Sequence, residues 1–339
     1  MGKKIGKQTI IFDNNPKIKG YYSIVGEKEY KGNFSEYFDY ILKDDTFGES
    51  SFEKAERKML EFAISNAIDR AGLKPADIDM LICGDLLNQI ISSSFTARDF
   101  DITYLGLYGA CSTMAESLAV GACFIDGGYF NNIACATASH FSSAERQYRY
   151  PLELGNQRPP VSQWTVTGAG CTILSSSEDE DKKIISATFG KVTDFGINDV
   201  NNMGAAMAPS AMSTLIAHFE DTHTTPDDYD LILTGDLGKL GSEILLDLME
   251  NKGYPLGGNY NDCGHMIYNH NQKTFQGGSG AGCSASILNS YIYKKMDSGE
   301  YRRVLFVATG ALLSQTSSQQ GETIPGISHA IDMMIEGEV

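Results

Sequence analysis

The stretch Pro75-Ala76-Asp77-Ile78-Asp79-Met80-Leu81-Ile82-Cys83-Gly84-Asp85-Leu86 returns 151 positions later as Pro226-Asp227-Asp228-Tyr229-Asp230-Leu231-Ile232-Leu233-Thr234-Gly235-Asp236-Leu237, with six of the twelve positions identical. The apolar run Ile78 to Cys83, bounded by Pro75-Ala76-Asp77 and Gly84-Asp85, reads as a short strand buried in a sheet. A second match, offset by 172, sets Cys111-Ser112 on Cys283-Ser284, Gly127 and Tyr129 on Gly299 and Tyr301, and Ile133-Ala134-Cys135-Ala136-Thr137 on Leu305-Phe306-Val307-Ala308-Thr309. In each half a helix leads to an Asp-x-Asp strand. A helix opening beside Cys-Ser, a Gly turn and an apolar strand ending in Ala-Thr follow. Two colinear matches with alternating strand and helix predict a duplicated α/β unit, each half supplying one sheet covered by its helices.

Upstream of the first copy, Phe52, Ala55, Met59, Phe62, Ala63, Ala67 and Ile68 recur at helical spacing, predicting a helix from Ser51 to Ala71 that stops at Gly72. The halves, residues 1–177 and 184–339, join across Ser175 to Lys183 and are expected to form one compact unit about a pseudo-twofold axis. The four acids of that junction lack the D-x-D-x-D-G spacing of a folded calcium loop, so a solvated connector is expected.

The chain has 339 residues, 42% of them hydrophobic, which suffices for a sizeable core. Lys+Arg 27 against Asp+Glu 43 gives a formal charge of -16, which argues against a nucleic-acid partner and against electrostatic attachment to anionic lipid. The basic start Met1 to Gln8 has no apolar region after it, and no stretch approaches the roughly 18 apolar residues of a membrane span, so the chain is expected to be neither exported nor integral. Gly6 stands where a myristoylation signal built on Gly2 wants Ser or Thr. Seven cysteines without a C-x-x-C, and six histidines without metal-ligand spacing, fit a reducing compartment and no structural transition metal.

Cys111 opens a helix of small and apolar residues, where the backbone dipole and unpaired N–H groups favour a thiolate or another anion. The competing reading is a small buried hydrophobe. Asp85 and Asp236 end equivalent strands and either face a site or cap the next helix. His140 follows the strand Ile133 to Ala138, as a pocket residue or as a satisfied buried imidazole. Arg146 and Arg149 form the densest basic feature nearby, with a structural role against acids such as Glu145 or Glu153 favoured over anion binding.

Gly109-Ala110-Cys111-Ser112 at a helix start, the Asp-x-Asp strands and the glycine-rich Gly277-Gly278-Ser279-Gly280-Ala281-Gly282-Cys283-Ser284 resemble the thiolase superfamily, ketoacyl synthase III in particular. That resemblance implies a five-layer αβαβα fold with Cys111 at the nucleophile position. The condensing partners differ: Thr234-Gly235-Asp236-Leu237 stands where the catalytic histidine is expected, and Gly278-Ser279-Gly280-Ala281 where the asparagine is. A protein without enzyme activity is therefore expected, the alternative being an acyltransferase or ketoacyl synthase using Cys111.

A more specific resemblance is carried by Cys83 to Gln89, Gly109 to Thr113, Ser139-His140 with Ala144 to Pro151, Met207-Ala208-Pro209, Asn261-Asp262-Cys263-Gly264 and Ala308 to Ser314. Together they are similar to the stage V sporulation protein AD family. The resemblance implies dipicolinic acid as ligand, alone or with calcium, in the machinery that moves it into the spore and out at germination. It implies integral membrane subunits of the same system as partners, a homodimer, and a peripheral place at the spore inner membrane. With the repeat, it puts the ligand among Asp85, Cys111, Thr137, His140, Asp236, Asn261, Gly278, Gly280 and Thr309, Asp85 being the contact for any calcium that accompanies it. No resident cofactor is expected.

Overall fold

The computed structural model describes residues 2–14, 16–148 and 157–336, so Arg149 and Glu153 lie outside the described residues. Ten strands form the main path: β1 (Lys17–Val25), β2 (Met80–Asp85), β3 (Tyr104–Gly106), β4 (Asn132–Ser139), β5 (Gly168–Ser175), β6 (Lys182–Phe189), β7 (Leu231–Thr234), β8 (Tyr260–Asp262), β9 (Arg303–Ala311) and β10 (Gly326–Ile335). Their order is β8-β7-β9-β10-β6-β1-β5-β4-β2-β3. At each end three strands run parallel, and the next strand inward is antiparallel to them. Between β6 and β1 the ladder is the single pair Lys183 and Lys17, so the path is two five-stranded sheets touching at one point.

The principal helices are α1 (Phe52–Arg70), α2 (Ile91–Phe100), α3 (Thr113–Asp126), α4 (Phe141–Tyr148), α5 (Met203–Thr222), α6 (Gly238–Asn251) and α7 (Ala281–Ile287). Three separate cores define the layers. Met59, Ile64 and Ile68 of α1 pack on Leu81, Cys83, Ala134 and Ala136, one outer face of the first sheet. Met114 and Leu118 of α3, with Ile287 of α7, fill the space between Ile82, Ile133 and Cys135 of one sheet and Val304 and Phe306 of the other. Met207 and Leu215 of α5 and Leu245 and Met249 of α6 cover Ile232, Leu305 and Val307. Successive strand residues face opposite layers, which is why near-continuous apolar runs can build both sheets. This is the five-layer αβαβα thiolase fold.

The repeated Asp-x-Asp has the same structural work in both halves. Each copy begins as one turn of 3₁₀ helix, Pro75–Asp77 and Pro226–Asp228. Asp77 accepts the Lys74 N–H at 2.8 Å and Asp228 the Thr225 N–H at 2.6 Å. Two residues on, Asp79 accepts the N–H groups of Asn131 and Asn132 at 2.7 and 2.9 Å, and Asp230 those of Arg302 and Arg303 at 2.7 and 2.8 Å. Each aspartate thus ties the start of its strand to the start of the next parallel strand.

The register corrects the second alignment by one residue. Leu81 pairs with Ala134, and Ile232, the repeat partner of Leu81, pairs with Leu305. The equivalent strand positions are therefore 171 apart (305 minus 134), not 172, and the left-handed turn glycines Gly128 (φ 71°) and Gly299 (φ 74°) have the same separation. Matching Ile133–Thr137 to Leu305–Thr309 put side chains on opposite faces, because a one-residue slip exchanges the faces of a strand. Both faces are apolar and buried here, so hydrophobic pattern could not fix the register.

The expected first helix is present. The helix runs from Phe52 to Arg70, with Ser51 Oγ accepting the Lys54 N–H as its N-cap. The acidic junction falls between β5 and β6. Among the described residues no helix is long and apolar enough to cross a membrane.

Candidate functional site

Cys111 sits in a 3₁₀ turn, Ala110–Ser112, that leads into α3. Ala110 has φ 50°, a left-handed conformation that costs a non-glycine residue roughly 1 kcal/mol. Local bonds hold it. Ser112 Oγ donates to the Gly109 carbonyl at 2.7 Å, Thr113 Oγ1 donates to the Ala110 carbonyl at 2.8 Å, and the Gly109 N–H reaches Thr113 Oγ1 at 3.3 Å. Beneath the turn runs β9, where a Cβ at Gly310 would overlap the Gly109 carbonyl oxygen. The close approach of strand and turn requires glycine there.

The turn opens onto a cavity of about 990 Å³, counting the open space at its mouth. Leu86, Tyr108, Met203, Met207 and Leu313 give it apolar walls. Cys111, Glu145, Gln163, Thr165, Asn201 and Ser279 supply its polar groups, so the one charged side chain among the described lining residues is a carboxylate.

Behind Cys111 lies Asp236, fully buried just past the end of β7. Its Oδ2 accepts the Gly280 N–H at 2.7 Å and Ser279 Oγ at 3.3 Å. Cys111 neighbours the same carboxyl group, and Oδ1 has no hydrogen-bond partner. Burial pushes the Asp236 carboxyl up to about 7, against the opposing pull of the Cys111 and Gly280 donors. Burial and the neighbouring Asp236 hold the Cys111 thiol well above the ordinary thiol range. The helix start favours a thiolate, but desolvation and a carboxyl neighbour outweigh it.

Gln163 closes the polar end. Its Nε2 donates to the main-chain carbonyls of Asp236 and Gly278 at 2.7 and 2.6 Å, which fixes the amide orientation and leaves Oε1 a buried acceptor without a partner. Glu145, from α4, accepts Thr165 Oγ1 at 3.2 Å and has the Arg158 guanidinium at 4.0 Å. Arg158 also lies over the ring of Trp164 at 4.8 Å, and Phe141 stacks on that ring at 4.0 Å. The single tryptophan of the chain thus stands between two cavity residues, Gln163 and Thr165.

Of the residues singled out in the sequence, Cys111, Asp236, Gly278 and Gly280 are brought together. The others are engaged elsewhere. Asp85 caps α2, accepting the N–H groups of Ser92 and Ser93 at 2.7 and 2.8 Å. Thr137 Oγ1 donates to the Gly84 carbonyl at 2.6 Å, and Thr309 Oγ1 meets Ser328 Oγ at 3.0 Å. His140 Nδ1 accepts the Ser142 N–H, so its Nε2 donates to the Asp45 carbonyl at 2.7 Å, and the ring stacks on Phe52. Asn261 is exposed and its Oδ1 accepts the Asp262 N–H. Arg146 is paired with Glu53. Among the described residues no group of three or more metal-ligating side chains converges, at Asp85 or elsewhere.

Sequence reading missed Glu145 as a wall residue and missed Gln163 and Asn201 altogether. Gln163 precedes the two-residue strand Trp164–Thr165, which pairs with Gly278–Ser279, a contact with no periodic signal.

Two solved structures share the fold of this chain. 3-Oxoacyl-[acyl-carrier-protein] synthase III from Aquifex aeolicus matches with a TM-score of 0.59 at 13% identity, covering 94% of this chain and 100% of that one. An OleA variant from Xanthomonas campestris with bound lauric acid and lauroyl-CoA matches with a TM-score of 0.62 at 11% identity, over 94% of this chain and 99% of that one. At such identities the likeness is one of fold. The sequence is closer to another group: stage V sporulation protein AD of Bacillus subtilis is 45% identical over 329 residues, 97% of either chain. The model of the stage V sporulation protein AD family matches residues 6–334. On that match the chain belongs to the stage V sporulation protein AD family, a sporulation family built on the thiolase fold.

Proposed function

We propose that this protein binds dipicolinic acid without catalysing a reaction, as a peripheral subunit that serves integral membrane partners in moving dipicolinate at the spore inner membrane. The observation that carries the reading is the setting of Cys111. A thiol nucleophile needs a base or a positive neighbour to become a thiolate. Here the group that faces it is a buried carboxyl, which holds the thiol well above its ordinary range, and His140 is committed to Asp45 and Ser142 outside the cavity lining. Burial also pushes the His140 imidazole down, away from a role as a charged partner.

What remains is a receptor. The walls formed by Tyr108, Met203, Met207 and Leu313 suit a flat ring, and the Asn201 amide lines the same space as a donor group for a carboxylate. Calcium, where it takes part, would enter on the ligand. The family resemblance supplies the choice of dipicolinate among flat acids, and the homodimer.

The test is calorimetric titration with dipicolinate, with and without calcium, on the wild type and on Cys111→Ala, alongside intact-mass analysis after exposure to an acyl-CoA. Saturable dipicolinate binding weakened in the variant, with no mass gain, supports the reading. A stable acyl adduct on Cys111 with no dipicolinate binding would return the protein to the acyltransferases.

A further inference from the structure

The polar end of the cavity is short of positive charge. Asp236 is completely buried with Oδ1 lacking any N–H or O–H donor, and Gln163 Oε1 is a second buried acceptor without a partner. Glu145 contributes a carboxylate with the Arg158 guanidinium 4.0 Å from it, and among the described residues no lysine, arginine or histidine is itself part of the cavity lining. The titratable groups that face Asp236 are Cys111 from the turn before α3, Asp262 and Cys263 around the start of the short helix Cys263–Ile267, and Cys283 from α7. None is a cation. Asp262 is itself spent on the N–H groups of Leu237, Gly238 and His265.

A carboxylate ligand set down beside Cys111 and Ser279 would therefore meet a buried negative charge one residue behind them. Like charges in a desolvated site disfavour each other strongly, and the cheaper state is the one in which one of them is neutral. Aromatic carboxylic acids ionise well below neutral pH, whereas burial leaves Asp236 near 7, so the neutral partner is the aspartate.

Resting on the reading of the cavity as an aromatic-acid site, we infer that the ligand binds together with one proton from solvent, held on Asp236. With Asp236 neutral, the buried wall beside Cys111 no longer repels the ligand anion, and the Cys111 S–H can turn towards it. The site thereby selects for anions at neutral and acidic pH and releases them as the medium becomes alkaline.

The experiment is titration of the full chain with dipicolinate, without metal, in two buffers of equal pH and different ionisation enthalpy. The expected result is net uptake approaching one proton per ligand at about pH 8, falling towards zero below about pH 6, with the dissociation constant rising about tenfold per pH unit above about 7. Asp236→Asn should bind with no proton uptake and a flat pH profile, while Glu145→Gln should keep the uptake. Binding without proton uptake, or uptake abolished by Glu145→Gln but kept by Asp236→Asn, overturns this inference and leaves the proposed function standing. No dipicolinate binding at any pH removes both.

Discussion

Asp236→Asn should make the fold more stable, and increasingly so as the pH rises. An unfolded aspartate ionises near 3.8 and this one near 7 in the fold, so the native state holds its proton where the unfolded chain has lost it. A carboxyl group raised in this way contributes stability that is complete below about pH 4 and is lost as the pH climbs through about 7. Each pH unit in that window costs about 1.4 kcal/mol, giving a penalty on the order of 4 kcal/mol for the wild type at about pH 8 and about 2 kcal/mol at about pH 5. Asparagine keeps an oxygen for the Gly280 N–H and carries no charge. Urea unfolding of both proteins at the two pH values, followed by Trp164 emission and circular dichroism, should show the stability difference widening by about 2–3 kcal/mol towards alkaline pH. A difference that stays constant with pH would refute the assignment of a buried, proton-holding carboxyl at 236.

Three further outcomes follow from the geometry. Gly310→Ala, whose Cβ would overlap the Gly109 carbonyl, should cost about 1–3 kcal/mol and impair ligand binding, because strand and Cys111 turn must separate; unchanged urea midpoints would contradict it. Asp79→Ala and Asp230→Ala should each cost about 1 kcal/mol, and by similar amounts, since each removes an exposed acceptor of two main-chain N–H groups at the head of a strand. A loss at only one of the pair would separate the roles of the two copies. Alkylation of Cys111 by iodoacetamide at about pH 8 should be at least tenfold slower than that of a free thiol, and a rate equal to or above the free-thiol rate would mean an activated nucleophile.

Much of the architecture was legible in the sequence because it rests on local chemistry that recurs. Asp77, Asp79, Asp228 and Asp230 bond to main-chain N–H groups at matching positions in the two halves, so the same side chain is demanded twice and the repeat survives as identity. The strand Ile133–Thr137 shows the limit. It is buried on both faces, and a one-residue slip exchanged equally apolar faces, so a chance Ala-Thr match outweighed the true register.

The site was legible in part. Cys111, Asp236 and Gly280 announce themselves by standing at strand and helix ends, and they do converge. Asp85 stands in the same kind of place and is consumed by helix capping, a role the sequence signals equally well. Whether an aspartate after a strand caps or faces a pocket depends on where the next helix starts in space. Gln163 and Asn201 came from irregular connections whose position is set by tertiary packing, and Glu145 looked like one acid among many on an acidic chain.

The central claim is that the cavity at Cys111 is the seat of a bound aromatic acid. Its most direct test is a dipicolinate titration of the wild type beside Ala311→Phe, which places a ring in the cavity from the end of β9. The account predicts saturable binding at one ligand per chain in the wild type and its loss in the variant, both proteins having the same circular dichroism spectrum. Equal binding by the two would put the ligand elsewhere and contradict it.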